Sequence, residues 1–219
     1  MVSNSSLTPL LLAEQAHTTN EHAAPIDADA LLQASRRVDW RFLLPDPNLG
    51  RVAYSGLARG ALLESLRLFS ESLTVIEKAA DVGATQYDVV VTSGPSSEML
   101  RRSADLIRPG GFLYVEAYGP FRRGRARRGD RRLRYATDYL VAIERLGLVE
   151  AAAHWHWPDF ETCAEIIPLA DQDALLLAFA RRRSGAGARL KSALGRALLR
   201  SGLFARLVPC FSIVAWKPD

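Results

Sequence analysis

The chain has 219 residues, 48% of them hydrophobic, which is enough to bury the core of one α/β domain and leaves too little for a second. Its formal net charge is +4, supplied almost entirely by arginine, which suits oxyanion recognition and equally fits a GC-rich genome. Two distant cysteines predict free thiols rather than a disulfide or a zinc site. There is no basic, signal-like start and no apolar run near the roughly 20 residues that span a bilayer, so we expect a cytoplasmic protein. We expect no metal, because the cysteines and histidines lack metal-ligand spacing.

The chain begins with a polar segment followed by a short helical pattern. Residues 1–25 are rich in Ser, Thr, Asn, Ala and His, and this composition predicts a loosely packed arm. Asp27 or Asp29 is placed to cap a short helix that ends at the basic residues Arg36 and Arg37.

The next segment, residues 38–47, leads into the first strand. Its two prolines predict an extended, turn-rich backbone. Trp40 and Phe42 are candidates for core packing, with a pocket wall as the alternative. We therefore divide the chain into an arm with a short helix at 1–37 and one domain at 38–219.

A strand, a helix and a second strand are predicted next. Residues 51–56 form an apolar strand that ends in a turn containing Gly56 and Gly60. Leucines recur on one side of the predicted helix at 61–69, as expected for packing beneath that turn. Residues 73–77 then read as the second strand, which ends in an acid.

The clearest pattern in the chain is a strand, a helix and a strand between residues 87 and 119. A β-branched run at 88–92 is typical of a strand covered on both faces. Pro95 suits the first helical position, and Pro109-Gly110-Gly111 is expected to stop the helix. A second apolar strand follows at 112–115, and such a crossover is almost always right-handed and parallel.

These residues carry a family resemblance. The strand "YDVVV", followed about twenty residues later by "LIRPGGFLYVEA", resembles the later half of a class I S-adenosylmethionine (SAM) dependent methyltransferase. The resemblance implies an α/β fold with a doubly wound, mostly parallel Rossmann-like sheet. It also implies SAM as cofactor and methyl transfer as the activity.

The same resemblance gives the earlier glycine turn a role in cofactor binding. Gly56 and Gly60 fall on the first and third glycines of the family's loop, Ala58 replaces the second, and Tyr54 takes the place usually held by an acid. Glu77 occupies the strand end at which the family binds the ribose hydroxyls of SAM.

The middle of the chain is shorter than the family pattern. Only ten residues separate Glu77 from Asp88, where a helix, a third strand and an adenine-contacting acid would be expected. Asp81 is a weak substitute for that acid. The short middle and the altered glycine loop favour, as an alternative, a degenerate methyltransferase fold without catalysis.

Candidate ligand-binding residues follow the strands of the central unit. Ser93 ends the first strand and is assigned to the cofactor, while Glu116 and Tyr118 leave the second strand on the side where such sheets bind ligands. Arg122 and Arg123 open a run of eight arginines that suits phosphate, carboxylate or a nucleic-acid backbone. A solvated loop is the alternative, and the scarcity of aromatic residues argues against single-stranded nucleic acid.

The rest of the chain predicts a helix, two strands and a helical insertion. An amphipathic helix at 133–146 leads to a strand at 148–157, and the last strand, at 211–216, matches the antiparallel seventh strand of the family. The insertion, at about 158–208, has basic amphipathic helices suited to a lid or to packing, and less so to a dimer face or a membrane surface.

His154 and His156 alternate with two tryptophans, so that both histidines share one face of their strand. Two histidines without a third ligand make a poor metal site. A structural role is favoured, and a proton acceptor near the strand end is the alternative.

Three functions remain open. The first is methyl transfer from SAM to a small, anionic metabolite, a reaction that needs alignment more than any particular catalytic residue. The second is a non-catalytic accessory or binding subunit of the same fold, as a homodimer or with a partner. The third, nucleic-acid binding through the arginines, is the least favoured.

Overall fold

The computed structural model describes residues 27–56, 60–76, 86–120, 133–181 and 186–219. The strands are β1 (Arg51–Gly56), β2 (Ser72–Ile76), β3 (Tyr87–Ser93), β4 (Ile107–Tyr118), β5 (Val149–Trp157), β6 (Glu165–Pro168) and β7 (Cys210–Trp216). The α-helices are α1 (Ala28–Arg37), α2 (Gly60–Phe69), α3 (Ser97–Leu106), α4 (Ala136–Arg145), α5 (Gln172–Arg181), α6 (Ala186–Arg200) and α7 (Phe204–Leu207). A 3-10 helix spans Asp39–Leu43.

All seven strands form one sheet in the order β2-β1-β3-β4-β7-β5-β6. The pairs β1–β2, β1–β3 and β3–β4 are parallel. Strand β7 is antiparallel to both β4 and β5, and β6 is antiparallel to β5. The sheet confirms the doubly wound, mostly parallel architecture and the antiparallel last strand.

Helices cover the sheet on both faces. On one face, the 3-10 helix and α2 pack over β1, β3 and β4, with Trp40 stacked on Tyr114 at a ring-centroid distance of 3.7 Å. On the other face, helices α3, α4, α5 and α7 contribute to a second apolar core that contains Trp155 and Phe211. Trp40 is therefore a core residue as predicted, whereas Phe42 is exposed.

Three local predictions differ from the structure. Pro95 precedes the helix rather than opening it, because Ser96 is the N-cap and accepts a hydrogen bond from the Met99 amide. The helix ends at Leu106, so the Pro-Gly-Gly turn is not what stops it. That turn lies inside β4, where the pairing with β3 shifts register. The third difference is at residues 39–43, which form a 3-10 helix instead of extended backbone.

The segment predicted as a helical insertion begins with an edge strand, β6, and continues with α5, α6 and α7. The last part of this predicted insertion is two helices, because a turn at Ser201 and Gly202 separates α6 from α7. Helix α1, capped by Asp27, packs against α2, and the domain boundary at residue 38 stays a prediction. Both cysteines are free thiols. None of the helices described is long and apolar enough to cross a bilayer.

Candidate functional site

The carboxyl ends of the parallel strands define the candidate site. From β1 the chain moves outward to β2 and then returns to β3 on the other side of β1, so the strand order reverses between β1 and β3. Ligands of open α/β sheets bind outside the carboxyl ends of the strands at such a switch point. Gly56 pairs there with Ser93, and Ser93 pairs with Glu116. Three of the predicted residues are thus neighbours on adjacent strands.

Gly56 sits where no other residue fits. Its φ angle is +152°, and a Cβ atom would lie 2.9 Å from the carbonyl oxygen of Ser93. A side chain would therefore need both an unfavourable backbone angle and a displaced β3. Gly60 opens helix α2, and a Cβ atom added there would have no other atom within 4 Å. Backbone and a helix N-terminus thus flank the end of β1, an arrangement suited to polar ligand groups.

Several predicted site residues lie elsewhere or outside the described part of the chain. Tyr54 is 0% exposed and packs in the core with the residues of α2, β3 and the 3-10 helix. Ala58, Glu77, Arg122 and Arg123 lie outside the described residues, and their assignments stay predictions. Strand β2 ends at Ile76, immediately before Glu77.

Glu116, predicted to contact substrate, is held by an arginine of the first helix. Arg37 donates two hydrogen bonds to its carboxylate, at 2.6 and 2.8 Å, and the exposed fractions of the two residues are 5% and 1%. Tyr114 donates a third hydrogen bond to Glu116 at 3.3 Å. Tyr118, the other predicted substrate residue, is half-buried and meets the Phe160 ring edge-on.

The Glu116 carboxylate favours the charged form of Arg37 and the neutral form of Tyr114. Burial alone would lower the pKa of Arg37, but the charge of Glu116 and the hydrogen bonds to it outweigh burial and raise the pKa. Burial raises the pKa of Tyr114, and the Glu116 carboxylate raises it further. Tyr114 therefore stays a neutral phenol that can donate to the carboxylate.

The polar contacts continue across β7 to β5. The Ser212 hydroxyl hydrogen-bonds Tyr114 and also lies 2.8 Å from Nε2 of His156. Burial, together with the charges of Arg37 and His154, lowers the pKa of His156 to about 3. A base so weak is poorly matched to proton transfer near neutral pH, which favours the structural role predicted for it.

Sequence reasoning missed Arg37 and Tyr114 as partners of Glu116, and Ser212 as the residue between Tyr114 and His156. Arg37 was treated as part of the basic end of a surface helix, because its partner lies 79 residues away. The available signal was Glu116 itself, a carboxylate directly after an apolar strand, which has to find a counter-charge when buried.

The strand order, with an antiparallel β7 between β4 and β5, and Gly56 at the switch point define a class I SAM-methyltransferase-like fold. A SAM-dependent methyltransferase from Archaeoglobus fulgidus shares this fold with a TM-score of 0.50 and 14% sequence identity, covering 84% of this chain and 94% of its own. No family model and no curated protein matches the sequence.

Two further solved structures are similar at lower TM-scores. Phosphoethanolamine N-methyltransferase 2 from Haemonchus contortus gives 0.47 at 12% identity, with 88% of this chain covered. The chain spans about half, 54%, of that enzyme's length. A SAM-dependent methyltransferase from Thermotoga maritima gives 0.45 at 12% identity, covering 84% of this chain and 89% of its own. At these identities the likeness is one of fold.

Proposed function

We propose that the protein is a SAM-dependent methyltransferase that acts on a small molecule. The observation that carries the proposal is Gly56, which ends β1 at the switch point and leaves no room for a side chain against Ser93. A glycine fixed in this way keeps the backbone accessible where the fold binds its ligand.

The residues present fit the cofactor. Gly56, Ser93 and the N-terminus of α2 at Gly60 would hold it, with Ala58 and Glu77 as proposed contacts on either side. When bound, SAM supplies an activated methyl group. The protein's own residues position the acceptor and exclude water, since alignment provides most of the rate for such a transfer.

We further propose that the acceptor is a small anionic metabolite. Glu116 is engaged by Arg37, so acceptor contacts on this side fall to Tyr118 and to the arginine-rich segment that starts at Arg122 and Arg123. Arginine matches carboxylate and phosphate groups in a two-pronged geometry. A cytoplasmic location is part of the same proposal.

Titration calorimetry with SAM and with its demethylated product tests cofactor binding directly. We expect saturable heat for both compounds. Release of the demethylated product from labelled SAM, in mixtures of anionic and neutral acceptors, then tests catalysis. The absence of heat with both compounds would contradict the proposal.

A second candidate is a non-catalytic accessory subunit, and the place of Tyr54 favours it. The family has an acid at this position, whereas Tyr54 is buried in the core and offers no carboxylate to the cofactor. An accessory subunit should give no heat with SAM and should co-purify with a catalytic partner. Salt-dependent binding to RNA or DNA would instead favour the arginine-rich segment as a nucleic-acid site.

A further inference from the structure

Positive charge is concentrated in the segment that carries helices α5, α6 and α7. Residues 174–209 contain seven arginines and one lysine, and no aspartate or glutamate. The net charge of the whole chain is only +4, so the remaining residues together carry −4. A strongly basic region on an otherwise acidic chain indicates a negatively charged partner for that region.

Helix α6 turns apolar side chains outward. It packs through Ser192, Gly195 and Leu199, which are buried, and Gly195 lies close to the Phe179 ring of α5. Leu194 is 59% exposed. A helix that only packs against its own domain buries its leucines and exposes its small polar residues, so this arrangement is the reverse of the usual one.

Arginines border the outward side of α6. By helical spacing, Leu194 and Ala197 share that side, Arg200 lies beside Ala197, and Arg196 lies one turn before Arg200. Within the described part of the chain, no carboxylate forms an ion pair with either arginine. Leu203, in the turn after α6, is also exposed, to 42%. These five residues are called the α6 face below.

The combination of exposed leucines and arginines distinguishes between possible partners. A second copy of the chain would bring the same basic surface against itself, and like charges across an interface repel. RNA or DNA would engage the arginines through phosphates but would leave the leucines unused. A bilayer with anionic head groups uses both, because apolar side chains enter the head-group region while arginines meet the negative surface.

We propose that the α6 face binds an anionic membrane surface, with α6 lying in the plane of the bilayer. Leu194 and Leu203 enter the boundary between head groups and acyl chains, and Arg196 and Arg200 contact lipid phosphates. The attachment is peripheral and reversible, since few apolar side chains take part. It is independent of cofactor binding, so it stands or falls separately from methyl transfer.

Co-sedimentation of the full chain with vesicles tests the proposal. Vesicles of phosphatidylcholine alone are compared with vesicles that contain an equal part of phosphatidylglycerol. We expect binding to the anionic vesicles only, and weaker binding as salt is raised, because salt screens exposed charges. This comparison needs no substitution, so it does not depend on whether a variant folds. Failure to bind the anionic vesicles, or equal binding to the neutral ones, overturns the proposal.

Charge substitutions then locate the surface. Arg196→Gln/Arg200→Gln should weaken binding to the anionic vesicles about tenfold or more, at roughly fivefold for each arginine. Arg101→Gln/Arg102→Gln is the matched control, because it removes the same net charge from exposed positions on α3. The control should weaken binding by less than about threefold. Equal losses in the two variants would assign binding to net charge and overturn the proposal.

A leucine substitution tests the apolar contribution. Leu194→Gln should weaken vesicle binding about three- to tenfold, because one exposed leucine no longer enters the bilayer. Leu68→Gln, at a leucine that is 44% exposed on α2, is the matched control and should bind normally. Normal vesicle binding by Leu194→Gln overturns the proposal. So does RNA binding tighter than vesicle binding, or a dimer in solution that Leu194→Gln dissociates, because the face would then serve that partner instead.

Discussion

At Gly56 both the φ angle and the neighbouring Ser93 backbone oppose a side chain. Gly56→Ala should lower the free energy of unfolding by about 2 kcal/mol, from the positive φ angle and the contact with Ser93. It should also weaken binding of demethylated SAM at least tenfold. Urea unfolding and calorimetry measure the two effects.

Gly60→Ala is the control, because a methyl group there meets nothing and alanine favours a helix. We expect unchanged or slightly higher stability and a smaller loss of cofactor affinity than in Gly56→Ala, because Gly60 is proposed to bind through its backbone, which alanine retains. If the two variants lose cofactor affinity equally, the close approach at Gly56 is not what forms the site.

The lowered pKa of His156 predicts that the free energy of unfolding depends on pH. Its pKa is about 3 in the folded protein and near its ordinary value of 6.5 in the unfolded chain. As pH falls below 6.5, the unfolded chain binds a proton that the folded protein does not. Stability is therefore lost toward acid, by up to about 1.4 kcal/mol per pH unit for this residue.

The substitution His156→Gln removes that proton and should flatten the slope between pH 6.5 and 5. Urea unfolding at intervals across this range measures the slope in both proteins. His154 has a lowered pKa as well, so part of the slope should remain. Parallel slopes in the two proteins would mean that His156 titrates normally in the fold.

At the scale of elements, the buried ion pair between Arg37 and Glu116 links α1 to β4. Removing one partner of a buried pair leaves an uncompensated charge, so Arg37→Met or Glu116→Gln should cost about 3–5 kcal/mol. The double variant Arg37→Met/Glu116→Leu should recover much of that loss. Thermal or urea unfolding measures all three.

Arg36→Met is the matched control, because Arg36 precedes Arg37 on the same helix and is more exposed. It should change stability by less than about 0.5 kcal/mol. Equal effects at positions 36 and 37 would show that the pair contributes no more than a surface contact does.

Helices α5 and α6 meet at Gly195. A Cβ atom there would lie 2.4 Å from the Phe179 ring, so Gly195→Ala should destabilise the pair by about 1–3 kcal/mol despite its higher helix propensity. Combining it with Phe179→Leu should restore part of the loss, as urea unfolding would reveal. Stabilisation by Gly195→Ala alone would contradict the close crossing.

At the scale of the whole molecule, hydrophobic period and turn residues predicted six of the seven strands, whereas the edge strand β6 lies in the segment predicted as a helical insertion. The antiparallel place of β7 came from the family resemblance, since residues 210–216 look like any buried strand. Local patterns failed where distant residues decide the outcome. The Pro-Gly-Gly turn lies inside β4 because β4 pairs with β3 on both sides of it, at Ile107 and at Phe112. A local helix-stop signal carries no information about that pairing.

The candidate site was predicted only as far as its backbone. Gly56 and Ser93 were each assigned to the cofactor, and the structure pairs them on adjacent parallel strands. The engagement of Glu116 by Arg37 was not predicted, because the sequence offers 28 Lys and Arg residues and no local sign of which one is buried.

The place of β7 constrains how the chain can be assembled during synthesis. The strand is made after the other six, yet it occupies the gap between β4 and β5. Until it emerges from the ribosome, two long strand edges lack their hydrogen-bonding neighbour and invite association with other chains. We expect stalled nascent chains that end at residue 209 to be protease-sensitive, and those that expose residue 219 beyond the exit tunnel to be resistant.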